Sequence, residues 1–484
     1  MQEKMMNKIL YSLVASAVLF SGCSFKPTLP QKDSSFVADY GEIRIDKAWW
    51  AEFGDSYLNE LVESALKNNS DLNLALNNIE IARTSLGLSR LEFLPNSQIQ
   101  GSAGRQNNFG NLPDRNSHEA YSLGASMSYE IDFWGKIRNN VGAAKSNFNA
   151  TKYDYETAKN TIVSTVANLY FTLISLKEQE MILQDSLKSY ESTAAYRKKQ
   201  LNAGAISDIV YYQALATAEN ARANLIGVKN SLSQISTSLN ILTGKSYNEI
   251  LHGAVNSANS LPNAPAIPAG ISSDILLHRP DVASALERLK ATNFLVGVAK
   301  AQYFPSISLT GALGYASGEF NSLLNNPAWS IAGSLVGPLI DFGRTKKRVD
   351  LANLDQNASF IAYDKTLKVA FGEVKDALVG VENAKIKQDS MKKLVNAQSR
   401  VFNMASKRYD EGYSDHLEFL DAQRGVLNSK LSLANANLEA LTSTVNAYKA
   451  LGGGFRVEDN ATIKLLNSKE EIAPSNSAFP VPHF

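Results

Sequence analysis

Residues 121–132 read YSLGASMSYEID, and apolar and polar side chains alternate through the whole stretch. Leu123 and Met127 fall on one face, and small or polar residues fall on the other. Similar alternation runs through residues 307–315 and, more weakly, through 329–340. A period of two with aromatic residues near the ends is typical of a membrane-spanning strand. A half-buried strand of a soluble sheet shows the same alternation, so this pattern alone leaves both structures open.

Four strands are predicted in the chain, at about 95–105, 121–132, 305–316 and 329–341. They cannot close a barrel by themselves, because the smallest closed bacterial barrels have about eight strands. An open edge in lipid would leave backbone N–H and C=O groups without partners. If the strands enter a membrane, several copies of the chain must therefore share one barrel.

The two halves of the chain are related by an internal duplication. Phe93-Leu94-Pro95 corresponds to Tyr303-Phe304-Pro305, and Gly204 corresponds to Gly412. A spacing of ~210 residues is too long for a solenoid repeat, so a whole fold is duplicated. The predicted division is a first structural repeat at 56–250, an equatorial linker at 251–271, a second structural repeat at 272–455, and a C-terminal equatorial segment and tail at 456–484.

Most of the remaining sequence predicts long antiparallel coiled coil. An apolar residue recurs every seven positions in the first half, and the second half has a matching series. The first series is Val141, Phe148, Tyr155, Ile162, Leu169, Leu176, Leu183 and Tyr190. Heptads this sustained indicate helices packed side by side, and about 65 residues of helix span ~98 Å. The predicted helical hairpins are 136–243 and 344–451, with shorter helical stretches at 58–94 and 275–304 before the first strand of each repeat.

The N-terminus carries the pattern of an export signal, predicted at residues 1–22. Two lysines precede the apolar stretch 9–20, which is too short for a membrane-spanning helix. Small residues follow, and then comes Cys23, the only cysteine of the chain, as in the lipobox of a bacterial lipoprotein. Cleavage would leave acyl chains on Cys23 at the start of a lipidated segment, 23–55, and would add ~0.8 kcal/mol of membrane affinity per buried CH₂. An ordinary signal peptide with an unmodified thiol is the alternative.

The composition argues against several classes of protein. One cysteine excludes an intramolecular disulfide, and the five scattered histidines lack metal-ligand spacing. A formal charge of +1 without a long basic run argues against a nucleic-acid partner. No catalytic triad, paired carboxylate cleft or phosphate-binding glycine loop stands out. We therefore expect no enzyme and no cofactor apart from the covalent lipid on Cys23.

Several motifs carry a resemblance to a known family. They are Trp49-Trp50-Ala51-Glu52-Phe53-Gly54-Asp55, His278-Arg279-Pro280-Asp281-Val282, Gly297-Val298-Ala299-Lys300-Ala301 and Phe304-Pro305-Ser306-Ile307. With these motifs the mature chain resembles the TolC-type outer-membrane factor family. The nearest branch is the lipidated efflux channel of resistance-nodulation-division pumps, and the chain is similar to Campylobacter multidrug efflux outer-membrane channels. The family usually has Arg where His278 stands.

The resemblance implies a mixed α and β fold and a homotrimer. Three chains would form one outer-membrane β-barrel of twelve strands, four from each, which continues into a long α-helical coiled-coil periplasmic barrel. The implied function is the exit duct of a tripartite efflux pump. Its partners would be a periplasmic adaptor (membrane fusion protein), an inner-membrane pump of the resistance-nodulation-division type, and outer-membrane lipid. The alternatives are a conduit for type I protein secretion or metal efflux, and a non-conducting coiled-coil envelope lipoprotein.

The resemblance also assigns roles at the hairpin tips. Adaptor docking is expected at Gly204, Ala205, Gly412 and Tyr413. The periplasmic gate is expected at Tyr409, Glu418 and Asp421, but Ser414 stands where the family has an Arg, which puts a tip salt bridge in doubt. Glu418 also fits a helix-capping pair with Asp415. Asp421 has no basic residue four positions on, and three copies would form an acidic ring around the channel axis; a solvated carboxylate near a helix start is the alternative.

Overall fold

The computed structural model describes residues 46–106, 118–257, 261–267, 278–325 and 327–455. The predicted signal peptide, Cys23 and the tail at 456–484 lie outside the described residues. Within the described part, no helix is both long enough and apolar enough to cross a membrane.

Twelve labelled elements follow one another along the described chain, together with short 3₁₀ helices at Trp49–Phe53 and Phe320–Asn325. They are α1 (Ser56–Asn68), α2 (Ser70–Leu91), β1 (Asn96–Gln106), β2 (His118–Ile131), α3 (Lys136–Asn202), α4 (Asp208–Thr243), α5 (Tyr247–Ser257), α6 (Pro280–Ala301), β3 (Ser306–Ser317), β4 (Pro327–Val336), α7 (Arg344–Asp410) and α8 (His416–Ala450). The chain divides into two compact units. Among the described residues, the sheet unit comprises 77–106, 118–152 and 284–365, and the helical unit comprises the rest.

The sheet unit contains one antiparallel sheet with the strand order β1-β2-β3-β4. Tyr129 lies opposite Leu309, and Leu313 lies opposite Trp329, so this register places the apolar residues of neighbouring strands on the same face. Hydroxyl groups share the other face and bond across the strands. The pairs are Ser102 with Ser122 (2.7 Å), Ser128 with Thr310 (3.3 Å) and Ser308 with Ser334 (2.6 Å). The alternation in the sequence is therefore a two-faced sheet.

The predicted end of the fourth strand, at residue 341, is wrong for the single chain, because β4 ends at Val336. Val336 pairs with Ser306, the first residue of β3, and Pro305 precedes it. Pro338 lacks the N–H that a ladder needs. The pairing therefore stops where one proline directly precedes β3 and another lies shortly after β4.

Two helical hairpins contain most of the described residues, and α3 and α7 have 67 residues each. Both hairpins turn through a glycine with left-handed backbone, Gly204 (φ 69°) and Gly412 (φ 80°). In each turn an N–H bonds back across five residues, from Ala205 to Gln200 O (2.9 Å) and from Tyr413 to Arg408 O (2.7 Å). This is the Schellman ending of a helix, which requires a residue that tolerates positive φ.

The helical stretch predicted at 58–94 is two helices, because Asn69 separates α1 from α2. The Asn69 side chain accepts hydrogen bonds from the N–H groups of Asp71 (2.9 Å) and Leu72 (3.1 Å). It therefore caps the start of α2.

An aromatic core in the helical unit holds the first described residues in place. Trp49 stacks on Tyr448 with ring centroids 5.0 Å apart, and Phe53 packs against Phe171 at 5.0 Å. The Tyr170 hydroxyl donates to the buried Asp55 carboxylate (2.6 Å), whose other oxygen caps α1. These contacts account for Trp49, Phe53 and Asp55 of the Trp-Trp-Ala-Glu-Phe-Gly-Asp motif.

Candidate functional site

Two regions of the structure have surfaces that could carry a function: the two faces of the sheet and the tips of the two hairpins. The apolar face of the sheet is uncovered within the chain, with Ile99 82% and Trp329 75% exposed. A soluble protein would bury such a face, whereas a membrane strand presents it to lipid. The hydroxyl face is small and polar and is suited to water.

The predicted docking residues lie at the exposed ends of the hairpins. Gly204, Ala205, Gly412 and Tyr413 are all exposed, and the glycines form the turns. The first tip also exposes three large side chains that the sequence pattern did not single out, Tyr196, Ile209 and Tyr212. The signal for them was an apolar or aromatic residue outside the heptad seam, close to the predicted turn.

Tyr409 belongs to a polar cluster at the tip, in which every hydrogen bond is made by Arg197. The guanidinium of Arg197, on α3, donates to the Tyr409 hydroxyl and lies 5.1 Å from the centroid of its ring. The same guanidinium contacts Nδ1 of His416 (2.9 Å) and donates to Oε1 of Gln200 (2.6 Å). Arg197 is only 4% exposed, and no described residue forms an ion pair with it. The cluster therefore joins the first hairpin to both helices of the second.

Sequence reasoning missed Arg197 and His416. Arg197 stands seven residues after Tyr190, at the next position of the heptad seam. A cation at a seam position is costly to bury unless it is hydrogen-bonded, so it was a detectable signal. His416 carried no such signal, because its role depends on Arg197 reaching it from another hairpin.

The pKa of His416 is lowered to about 4, first by burial and then by the positive charge of Arg197. The imidazole is therefore neutral at pH 7, and its Nδ1 can accept a hydrogen bond from Arg197. Protonation would place a second positive charge against the guanidinium. The contact between the hairpins is thus sensitive to acid.

Glu418 has two contacts, and one of them is the predicted cap. The Asp415 carboxylate accepts from the Glu418 N–H (2.9 Å) at the start of α8. The Glu418 carboxylate pairs with Arg408 at 3.3 Å. A salt bridge therefore exists at this tip even though Ser414 replaces the family's Arg. Both partners belong to the second hairpin, so this bridge does not join the two hairpins.

Asp421 has a basic neighbour at i+3 and not at i+4. Arg424 Nη1 lies 3.6 Å from the Asp421 carboxylate, and Arg424 Nη2 donates to Thr217 Oγ1 on α4 (2.6 Å). The Asp421 side chain is exposed, so this pair is weak. Tyr409 thus lies in the cluster with Arg197, whereas Glu418 and Asp421 lie outside it.

A metal site would need several His, Cys, Asp or Glu side chains close together within the described ranges. Those ranges contain no group of three His, Cys, Asp or Glu side chains that could hold a metal ion. The side chains at the tip hold the hairpins together through hydrogen bonds, and their arrangement can change when the hairpins separate.

Comparison with known proteins explains why one chain contains both a sheet with an exposed apolar face and long helical hairpins. The outer membrane efflux protein family matches residues 61–245 and 271–453. The chain belongs to this family. The two matched segments correspond to the two halves of the internal duplication. The efflux family therefore accounts for both repeats.

The relatives of this family member include efflux proteins from several bacteria. The chain is 29% identical to the probable efflux pump outer membrane protein TtgC of Pseudomonas putida over 470 residues, which cover 93% of this chain and 96% of the relative. It is also 29% identical to the cation efflux system protein CusC of Escherichia coli over 451 residues, covering 90% and 98%. The crystal structure of the Campylobacter jejuni CmeC outer membrane channel matches with a TM-score of 0.85 at 32% identity, covering 93% of this chain and 98% of that one.

These matches confirm the predicted family, fold class and duplication. The structural relatives are trimeric outer-membrane channels with four strands per chain and long helices. This protein is accordingly an outer-membrane efflux channel.

Proposed function

We propose that this protein is the exit duct of a tripartite efflux pump and works as a homotrimer. The observation that supports this most is the sheet: it has one apolar face, one hydroxyl face and two unpaired edges, β1 and β4. Three copies would pair these edges and form a barrel of twelve strands. Lipid would then cover the apolar side, and the hydroxyl side would line a water-filled pore.

The duct is passive and not an enzyme, and the energy comes from its partners. A periplasmic adaptor docks at the exposed tips around Gly204 and Gly412, and an inner-membrane pump of the resistance-nodulation-division type drives transport. Acyl chains on Cys23 add a second attachment to the outer membrane. Tyr409, Glu418 and Asp421 belong to the periplasmic gate, with Asp421 forming an acidic ring.

The substrates are drugs or other small molecules, because two relatives from Pseudomonas putida are an antibiotic efflux and a toluene efflux outer membrane protein. A metal cation is the second candidate, because CusC is a cation efflux protein at a similar level of identity. Type I protein secretion would use the same scaffold. A deletion strain distinguishes these by whether it accumulates drugs, accumulates metal cations, or fails to secrete a protein.

The mass of the full-length protein in mild detergent tests the proposal first. We expect three chains of about 52.7 kDa each before processing, and the purified trimer should conduct ions in a planar lipid bilayer. A monomer that does not conduct after gentle extraction would contradict the channel and favour a coiled-coil scaffold.

A further inference from the structure

The internal duplication gives each strand-to-helix junction of the sheet unit a counterpart. In the first repeat, Trp134 follows β2 and stacks on Phe304, which precedes β3. Their ring centroids lie 4.4 Å apart with planes inclined by 22°, and Trp134 Nε1 donates to Pro305 O at 2.8 Å. An aromatic contact therefore closes the boundary between β2 and β3 at the edge where β2 ends and β3 begins.

Phe342 takes the place of Trp134 when the two repeats are aligned on the glycine before each long helix. Gly135 and Gly343 have the same left-handed conformation (φ 77° and 80°) directly before α3 and α7. The residue before each glycine is an aromatic one, Trp134 in the first repeat and Phe342 in the second. Phe342, however, contacts no aromatic ring among the described residues and is 88% exposed.

The counterpart of Phe304 is Leu94, because Pro305 and Pro95 correspond in the duplication. Leu94 precedes β1 and is 60% exposed. Both members of the equivalent pair are thus present, but they are uncovered and lie beside the two unpaired edges of the sheet. Burying exposed apolar side chains of this size is favourable when a matching surface is available.

The backbone conformation of Phe342 also points to a contact at this position. Phe342 is the one residue other than glycine with a positive φ among the described residues, at 51°. A bulky side chain is disfavoured in this region, and such strain is usually kept for a contact or a function. The strained bend turns an aromatic ring outward at the end of an edge strand.

We propose that Phe342 of one copy packs against Leu94 of the next copy and closes the boundary between β4 and β1. The duplication matches β2 with β4 and β3 with β1. The boundary between β2 and β3 within one chain therefore corresponds to a boundary between β4 of one copy and β1 of the next. The occupant of this surface is therefore a second copy of the chain. The Phe342 side chain has no N–H, unlike the Trp134 indole that donates to Pro305 O, so this contact is apolar only. The inference rests on the shared barrel of the proposed function.

Cross-linking of full-length protein with a short bismaleimide tests the contact. The variant Leu94→Cys with Phe342→Cys should form covalent dimers and trimers on a denaturing gel. The matched control, Trp134→Cys with Phe304→Cys, places the same junction within one chain and should cross-link without an increase in mass. The four single variants show any product that arises from Cys23.

The outcomes separate this inference from the proposed function. If the protein is trimeric and the control pair cross-links, but the Leu94–Phe342 pair gives no product between chains, the inference is overturned and the trimer stands. A monomeric mass before cross-linking would count against the trimer itself.

A second variant does not depend on cysteine chemistry. Phe342→Ser should lower the temperature at which the trimer dissociates in detergent by several degrees. Phe342→Leu keeps an apolar side chain and should lower that temperature much less. An unchanged dissociation temperature for Phe342→Ser would show that lipid, and not a second copy, covers this side chain.

Discussion

At the scale of single residues, Arg197 has the most unusual environment. It is a buried cation whose described partners are a phenol, an imidazole and an amide, with no carboxylate among them. Burying a charge without an opposite charge is costly and needs every available hydrogen bond. Loss of the hydrogen bond to His416 should therefore weaken the contact between the hairpins.

Acid should loosen the contact between the hairpins at this cluster. The pKa of His416 is about 4 in the folded protein and 6.5 ordinarily. A base with a lowered pKa favours the native contact above its ordinary pKa, and this advantage declines as the pH falls from about 6.5 to about 4. As the pH falls across that range, the tip amides should lose protection against hydrogen exchange, measured relative to the intrinsic exchange rate at each pH. His416→Gln keeps an acceptor and cannot titrate, so an equal pH response in that variant would contradict the assignment.

Asp421→Ala should weaken the block of the channel by a trivalent cation. The expected change is several-fold, because three exposed carboxylates near one axis attract cations and Arg424 offsets only part of their charge. The block is measured in planar bilayers with a cation such as hexaamminecobalt(III). Gln213→Ala, at the uncharged counterpart position, serves as the control. Unchanged block by Asp421→Ala would count against the acidic ring.

At the scale of the secondary-structure elements, the hairpins depend on their two glycine turns. The spacing of heptads predicts how long each helix is, and glycine at the turn permits the left-handed conformation that ends it. An added Cβ at Gly204 or Gly412 would meet no atom within 4 Å. The need for glycine there is therefore conformational and not steric.

Gly204→Ala should destabilise the protein by roughly 1–2 kcal/mol, because alanine is disfavoured at positive φ. Gly227→Ala is a matched control: Gly227 lies inside α4, and its added Cβ would also meet nothing within 4 Å. That substitution should stabilise the helix by about 1 kcal/mol. Thermal unfolding in detergent measures both. Equal effects of the two substitutions would mean that the turn conformation is not what the glycine provides.

At the scale of the whole molecule, the sheet is incomplete without further copies of the chain. Its apolar face and its two unpaired edges are each unfavourable for a protein that stays alone in water. Three copies in a membrane satisfy both requirements at once. The single chain is therefore a part of a larger structure, and its stability is tied to assembly.

Charges on the two faces of the sheet should have different effects. Ile331→Arg places a cation on the lipid side, which should cost about 2–4 kcal/mol near the membrane midplane and reduce the amount of trimer in the outer membrane. Ala332→Arg, one residue further on, faces the hydroxyl side, so it should assemble normally and reduce cation conductance. Trimer yield and bilayer conductance measure the two effects. Equal yields for both variants would contradict the assignment of the faces.

Much of this architecture is encoded locally and could be predicted. The alternation from Tyr121 to Ile131 predicts a two-faced strand, because side chains of a strand point to opposite faces at a period of two. The heptads from Val141 onward predict long paired helices, because side chains three and four positions apart lie on the same face of a helix. The duplicated Pro95 and Pro305 predict that two halves share one fold, and the number of strands predicts that one chain is not enough.

Other features depend on contacts between residues far apart in the sequence. Arg197 meets Tyr409 across 212 positions, and no local pattern indicates which side chain a buried cation will reach. Asp421 has no base at i+4 and pairs instead with Arg424 at i+3. β4 ends early because Pro305 lies just before β3 and Pro338 lies shortly after β4. Periodicity reports which face a residue occupies, whereas partners are chosen by packing, which brings distant segments of the chain together.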